Sequence, residues 1–267
     1  MRAVAGMHKT PLGVSQGYAW QRCIAEETRK ATLTAQSNSP LTLVFDLDGT
    51  LVDTAPDLIA ATNHVMAGLG RAAVSGDILR PHVSHGALAM IRAALGPQAA
   101  TWDEPRLYPL FEQFIAYYQA NIAVESAPYP GMIAALDRAQ ASGHTLAVCT
   151  NKREILARQL LESLGLTDHF AAIAGRDTFE VCKPDPGHLL QTITQACGLP
   201  SHAIMIGDSN VDVATAKAAS IPVIAVSFGY CEPPVAHYAP DLIIDHYDDL
   251  DAAITSARTL GKGQLAS

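Results

Sequence analysis

The sequence predicts an α/β fold: a doubly wound parallel sheet, a Rossmann-like core, with an inserted α-helical cap. Three observations predict it. Short apolar runs of strand length recur along the chain, and most are separated by helical stretches of roughly 10–12 residues. One long stretch after the first run has no strand character. That first run is Leu41-Thr42-Leu43-Val44-Phe45-Asp46-Leu47, stopped by Asp48-Gly49. Later runs fall at Thr145–Thr150, Ala171–Gly175, Ala203–Gly207, Pro222–Ser227 and Asp241–Asp245. They are almost continuously apolar, as strands buried on both faces must be. Helical stretches at Gly131–Ser142, Arg153–Leu164, Gly187–Cys197 and Val211–Ala219 alternate with them, which is the pattern of βαβ units.

From Asp57 to Ser126 the rhythm changes. Helical segments are expected at Asp57–Leu69, Gly76–Arg80, Gly86–Leu95 and Pro105–Ile122, with no strand among them. The insertion starts directly after the Asp46 segment and ends near Pro128-Tyr129-Pro130-Gly131, so it is placed to cover the end of the first strand. The expected organisation is a core of residues 40–56 and 127–258, a helical cap of residues 57–126, and a poorly ordered extension of residues 1–39. That extension ends in the turn-forming cluster Gln36-Ser37-Asn38-Ser39-Pro40. At most it holds a weakly amphipathic helix over Ala19–Ala35, and a start assigned too far upstream would equally account for it.

Bulk properties exclude several classes. Hydrophobic residues make up 49% of the 267-residue chain, enough for a substantial core. No apolar run reaches the roughly 18–20 residues that a spanning helix needs, so no membrane partner is expected. A formal net charge of −8 argues against nucleic acid, whose phosphates demand clustered Lys and Arg. Any anionic substrate must then be drawn by a local positive site. Cys23, Cys149, Cys182, Cys197 and Cys231 are an odd, scattered set without C-x-x-C spacing, which fits reduced thiols and a cytoplasmic setting. No secretory signal is recognisable, and Glu26 and Glu27 disfavour a transit peptide.

Ligands of open parallel sheets bind outside the carboxyl ends of the strands. The residues expected there are Asp46-Leu47-Asp48-Gly49-Thr50, Thr150-Asn151-Lys152, and Gly207-Asp208-Ser209 with Asp212; Lys183-Pro184-Asp185-Pro186 lies on a preceding loop. Several carboxylates at one sheet edge would raise one another's pKa without a counter-ion. A hard divalent cation resolves the conflict, and Mg²⁺ commonly rests on one or two carboxylates plus a substrate phosphate.

Val44-Phe45-Asp46-Leu47-Asp48-Gly49-Thr50-Leu51-Val52-Asp53-Thr54 closely resembles the signature of the haloacid dehalogenase-like hydrolases. Thr150-Asn151-Lys152, Lys183-Pro184-Asp185-Pro186 and Gly207-Asp208-Ser209 with Asp212 follow in that family's order. The resemblance spans roughly residues 41–250, and the insertion matches the family's α-helical cap type. Within the family, Asp53-Thr54-Ala55-Pro56-Asp57-Leu58 and Thr150-Asn151-Lys152 look most like the phosphoglycolate phosphatases. The resemblance implies a Mg²⁺-dependent phosphatase acting on a small phosphorylated metabolite, as a monomer or homodimer. It makes Asp46 the nucleophile and Asp48 the acid–base group, with Thr150 and Asn151 binding phosphoryl oxygens and Lys183 offsetting negative charge. These roles are also chemically coherent alone, since an acyl phosphate splits one hard hydrolysis into two easier steps. Mg²⁺ would rest on Asp46, the Asp48 carbonyl and Asp208, with Asp212 reaching it through water.

Simpler readings compete at each position. Asp48-Gly49 is also a hairpin signal, and Asp208-Ser209 is also a helix start. His82 and His85 lie in Pro81-His82-Val83-Ser84-His85-Gly86; His85 and Gly86 are taken as candidate substrate contacts, against an exposed histidine pair as the plainer alternative. Arg80 and Arg92 could bind a substrate carboxylate, yet surface arginines are commoner. Cys149 reads as a small buried strand residue and Cys182 as incidental. Two departures stand out: Ser84-His85-Gly86 replaces the Gly-x-Gly turn frequent in related phosphoglycolate phosphatases, and Ala219-Ser220 replaces a usual Ala-Gly. A left-handed Ser220 would cost about 1 kcal/mol relative to Gly.

Asp48 argues against carbon-attacking dehalogenation, which does without the second aspartate. Phosphonate cleavage needs a cap lysine, and none occurs between Thr50 and Asn151. The alternatives kept are a sugar-phosphate phosphatase, for example on N-acetylmuramic acid 6-phosphate as Val83-Ser84-x-Gly86-Ala87 suggests, and a sugar phosphomutase. A non-catalytic phosphate-binding module is disfavoured by the paired Asp46 and Asp48.

Overall fold

A computed structural model describes residues 39–260; the expectations for residues 1–38 lie outside the described residues. Six parallel strands form the central sheet. They are β1 (Thr42–Phe45), β4 (Thr145–Cys149), β5 (Ala172–Ala174), β6 (Ala203–Gly207), β7 (Val223–Val226) and β8 (Leu242–Ile244), in the order β5-β4-β1-β6-β7-β8. All six expected runs are strands, each trimmed by up to three residues. β1 lies at the centre, with Thr42 opposite both Thr145 and Ala203. Because the chain first winds from β1 toward β5 and then returns to β6, the connection reverses between β1 and β6. That reversal opens the crevice where ligands of such sheets bind.

The hairpin reading of Asp48-Gly49 fails. β1 pairs only in parallel, and the chain turns through Gly49 N–H to Val52 C=O (3.0 Å) and Leu51 N–H to Leu47 C=O (3.0 Å). It then enters a two-residue strand, β2 (Val52–Asp53), antiparallel to β3 (Ala127–Pro128). This pair was not legible from alternation, being too short to show any. It brackets the helical insertion at both ends.

The insertion contains α1 (Ala55–Gly68), α2 (Gly76–Leu79), α3 (Ala87–Leu95) and α4 (Glu104–Ala120), with a 3₁₀ turn over Arg80–His85. Asp57 clasps its far end. The buried carboxylate accepts from Glu125 N–H (3.0 Å), Ser126 N–H (2.9 Å) and Ser126 Oγ–H (2.7 Å). Its apolar face is continuous with the core beneath it: Leu58, Met90, Phe114 and Tyr118 join Phe45, Leu47 and Val148 in one buried cluster.

The core helices are α5 (Met132–Ala141), α6 (Glu154–Ser163), α7 (Pro186–Gln195), α8 (Asn210–Ala218) and α9 (Leu250–Leu260), the last without a counterpart among the expected helices. Ser220 is left-handed as expected, with φ +55°. Among the described residues no helix is long and apolar enough to cross a membrane.

Candidate active site

Strand order fixes which residues meet. β4, β1 and β6 are neighbours, so Thr150, Asp46 and Asp208, each immediately beyond its strand, emerge side by side. The ladder continues into this edge through Asp46 N–H to Ile206 C=O (2.9 Å) and Thr150 N–H to Ala174 C=O (3.0 Å). Asp208 and the buried Asp212 stand with Asp46, one carboxylate oxygen of each lying within 4.8 Å of the others. Lys183 Nζ sits among them, 2.6 Å from Asp212 Oδ1 and 3.0 Å from Asp46 Oδ1. The Asp46 contact is an ion pair without hydrogen-bond alignment, which leaves Asp46 Oδ1 a buried acceptor without a hydrogen bond.

Each group is locked by its neighbours. Asp212 forms a capping box at the start of α8: Ser209 N–H (3.0 Å) and Oγ–H (2.6 Å) donate to its Oδ2. The expected helix start is therefore real, and capping coexists with the ion pair to Lys183. Asp208 accepts from Thr50 Oγ–H (3.1 Å) and Tyr230 N–H (2.8 Å). Its carboxylate is wedged between Gly49 and Gly229, where an added Cβ would lie 2.6 and 2.3 Å from Oδ2; Gly49 also has φ +82°. Lys183 is steadied through its backbone. Its N–H donates to His188 Nδ1 (3.2 Å), and His188 Nε2 donates to Gly175 C=O (3.1 Å), which fixes the neutral ring. Burial and the Lys183 charge push His188 down to about 4. Sequence reasoning missed His188; its position five residues after Lys183 was the only available signal.

Three carboxylates and one ammonium leave two surplus negative charges in a buried space. Burial, reinforced by Asp212, pushes Asp46 up to about 6, against the opposing pull of Lys183. Burial and the charges of Asp212 and Asp46 hold Asp208 well above the usual carboxylate range. Oxygen-only donors, this surplus and the orphaned Asp46 Oδ1 fit a hard divalent cation. Both oxygens of Asp208 and of Asp212 already accept hydrogen bonds, but only Asp212 is taken up by the Lys183 ammonium, so Asp46 is the freest ligand and Asp208, held by neutral donors alone, the next.

A cavity of about 760 Å³ opens beside the cluster, lined by Asp46, Asp48, Thr150, Asn151, Lys183, His85 and Gly86 among others. These include every expected catalytic and substrate-binding residue. Asp48 is not one of the three clustered carboxylates; its Oδ1 accepts from Thr54 Oγ–H (2.6 Å) and Lys152 Nζ (2.8 Å). Asn151 Nδ2 donates to Lys183 C=O at 2.9 Å. Lys152, Phe111, Phe114 and Tyr118 also line the cavity and had no role assigned from sequence, although Lys152 stands inside a quoted motif. His82 and Arg92 are not among the lining residues. Arg80 is occupied by Asp53 (2.8 Å) and lies over the Tyr230 ring, so it serves the entry to the insertion. Cys149 is fully buried, as expected, and burial pushes its thiol up to about 12.

Parallel sheet, post-β1 insertion and strand-end carboxylates with one buried lysine define a class: α/β enzymes whose chemistry is held at the sheet's carboxyl edge. The chain belongs to the haloacid dehalogenase-like hydrolases, whose family model matches residues 43–226. It is 46% identical to a phosphoglycolate phosphatase of Agrobacterium fabrum, over 88% of this chain and all of that protein. It is 36% identical to an N-acetylmuramic acid 6-phosphate phosphatase of Pseudomonas aeruginosa, over 79% of this chain and 95% of that one. A crystal structure described as a predicted phosphoglycolate phosphatase from Haemophilus somnus superposes with a TM-score of 0.74 at 26% identity, covering 80% of this chain and 97% of that chain.

Proposed function

We propose that the chain is a Mg²⁺-dependent phosphatase that hydrolyses the phosphomonoester of a small metabolite, 2-phosphoglycolate foremost, through an aspartyl-phosphate on Asp46. The observation that carries this reading is Lys183 Nζ lying between Asp46 Oδ1 and Asp212 Oδ1 beside Asp208, at the floor of the cavity. A mere binder has no need of a nucleophilic carboxylate paired with a second one two residues away.

Asp46 Oδ attacks phosphorus and forms the acyl phosphate. The ester oxygen leaves as its bond to phosphorus breaks, and takes a proton from Asp48. Water then attacks the same phosphorus, Asp48 accepts its proton, and the Asp46–phosphate bond breaks. Lys183 holds a fixed positive charge beside the transferring group, and burial at 3% exposure keeps that charge from being screened. Thr150 Oγ and the Asn151 backbone bind phosphoryl oxygens. Asp46, Asp208 and the Asp48 carbonyl would hold Mg²⁺, which would supply charge neutralisation on the phosphoryl oxygens. The helical insertion acts as a cap that excludes water and contacts the leaving group through His85 and Gly86.

The cavity volume favours a second substrate reading. About 760 Å³ lies in the range that takes drug-sized ligands, more than a two-carbon acid fills. That supports a sugar phosphate such as N-acetylmuramic acid 6-phosphate, for which the Pseudomonas relative is named. Phosphate release from both esters, with Mg²⁺ and with EDTA, separates the two by their kcat/KM. Adding β-glucose 1-phosphate separates phosphatase from mutase. Asp46→Asn is expected to lose turnover by at least about 10⁴-fold with the fold retained; phosphatase activity surviving in that variant would remove Asp46 from its role.

A further inference from the structure

Asp48 is held differently from the carboxylates beneath it. Thr54 Oγ–H and Lys152 Nζ both donate to its Oδ1, at 2.6 and 2.8 Å. No described residue hydrogen-bonds Oδ2, and Asp48 faces the cavity with 19% of its side chain exposed. One oxygen is pinned twice and the other is open to whatever fills the cavity.

Lys152 is itself confined. Its side chain is 6% exposed, and Nζ lies over the Tyr118 ring, 4.5 Å from its centroid. A carboxylate and an aromatic face together fix an ammonium in place. The two supports come from different parts of the chain. Lys152 follows β4 of the sheet, whereas Tyr118 belongs to α4 of the helical insertion. Tyr118 is almost fully buried, so its ring is anchored by packing.

We propose that Lys152 is a positioning residue for Asp48, and that the helical insertion completes this positioning through Tyr118. The inference rests on the phosphatase reading above. Pinning Oδ1 stops rotation of the carboxyl group and aims Oδ2 at the reacting oxygens. In the first step Oδ2 gives its proton to the leaving ester oxygen as the Asp46–phosphorus bond forms. In the second it takes a proton from the attacking water as that bond breaks. Proton transfer of this kind requires hydrogen-bond reach and fixed direction. A lysine serving only as a structural ion pair would have no such selective effect.

The chemistry supplies a test that separates positioning from general damage. An alkyl phosphate needs the acid to expel its alkoxide, whereas p-nitrophenyl phosphate expels a stable phenolate without one. Both need the base to hydrolyse the acyl phosphate. In Lys152→Met, alkyl phosphate turnover should fall about 100-fold, with KM changed less than about threefold. With p-nitrophenyl phosphate, rapid mixing should show a burst of about one nitrophenolate per enzyme at near wild-type rate, then slow turnover. Lys152→Arg, which restores a donor to Asp48, should recover part of the alkyl turnover. Loss of the burst in parallel with alkyl turnover would overturn the proposal, as would alkyl turnover within twofold of wild type. If Lys152→Met fails to fold, the burst in Lys152→Arg decides: retained burst with reduced alkyl turnover supports positioning, equal loss of both overturns it. A wild-type enzyme that releases phosphate from neither ester removes the phosphatase reading itself, and the proposal with it.

Discussion

The two walls of the cavity are built on opposite terms. On the sheet side, Asp46 and Lys183 line the cavity above the buried Asp208 and Asp212; Lys183 pairs with Asp46 and Asp212, and Asp208 is anchored by a backbone donor and close-packed glycines. On the insertion side, His85 and Gly86 are exposed, on a 3₁₀ turn and its end, beside the apolar rings of α4. A charge cluster of that kind tolerates almost no change, because losing Lys183 leaves buried carboxylates uncompensated and losing a carboxylate removes a ligand from the cation site. An exposed turn against apolar rings can change residue by residue at small cost. The first wall fits fixed chemistry, and the second fits choice of leaving group.

The largest effect should come from the rigid wall. Asp208→Asn removes a carboxylate that only Thr50 and Tyr230 otherwise engage. Metal affinity should fall by more than the roughly 10–100-fold that loss of an outer partner costs. In the wild type, Mg²⁺ should raise the thermal midpoint, since it binds the native state alone; in Asp208→Asn that rise should shrink or vanish. The effect has a sign with pH. Asp46 sits at about 6 in the folded chain against 3.8 unfolded, so without metal the native state binds the extra proton between those values. Metal-free stability therefore falls as pH rises through that window, and Mg²⁺ must displace the proton below about pH 6. Differential scanning should show a larger Mg²⁺-induced shift at pH 7.5 than at pH 5.5. An equal shift at both would place the ion elsewhere.

A smaller effect is expected from the other wall. His85→Ala should leave the rate of acyl-phosphate hydrolysis unchanged and alter kcat/KM among phosphomonoesters by no more than about tenfold, the discrimination one side chain supplies in a pocket. Comparing 2-phosphoglycolate with a sugar phosphate would show it. Loss of turnover on every ester would move His85 into the chemistry and break the contrast between the walls.

This contrast also governs what could be read from the sequence. Asp46, Thr150 and Asp208 were legible because each follows an apolar run directly, so its place at the mouth depends only on strand order; Lys183, on a loop, and Asp212, inside α8, were singled out by the order of the family's motifs. His188, Tyr230 and Gly229 were not, because their roles rest on contacts across more distant segments, such as Tyr230 with Asp208 and with Asp53. The helices of the insertion were legible from length and the absence of strands. What they present to the cavity was only partly so: His85 and Gly86 lie in a turn that could be singled out, whereas Phe111, Phe114 and Tyr118 read as ordinary apolar helix. The short β2–β3 pair left no period to detect. Asp57 looked like a residue of the first helical turn, and its clasp on Ser126 depends on the return of the chain.

The smallest effect lies far from both walls. Ser220 holds φ +55° after α8. Ser220→Gly should stabilise the chain by about 0.5–1 kcal/mol in urea unfolding, without altering turnover.

The most direct measurement is the location of the phosphoryl group during turnover. Acid-quenched protein, digested and examined by mass spectrometry, should carry one phosphoryl group on the peptide containing Asp46, only when Mg²⁺ is present, and none in Asp46→Asn. Turnover with the phosphoryl group on another residue, or an unmodified Asp46 peptide from a variant stalled in acyl-phosphate hydrolysis, would contradict the account.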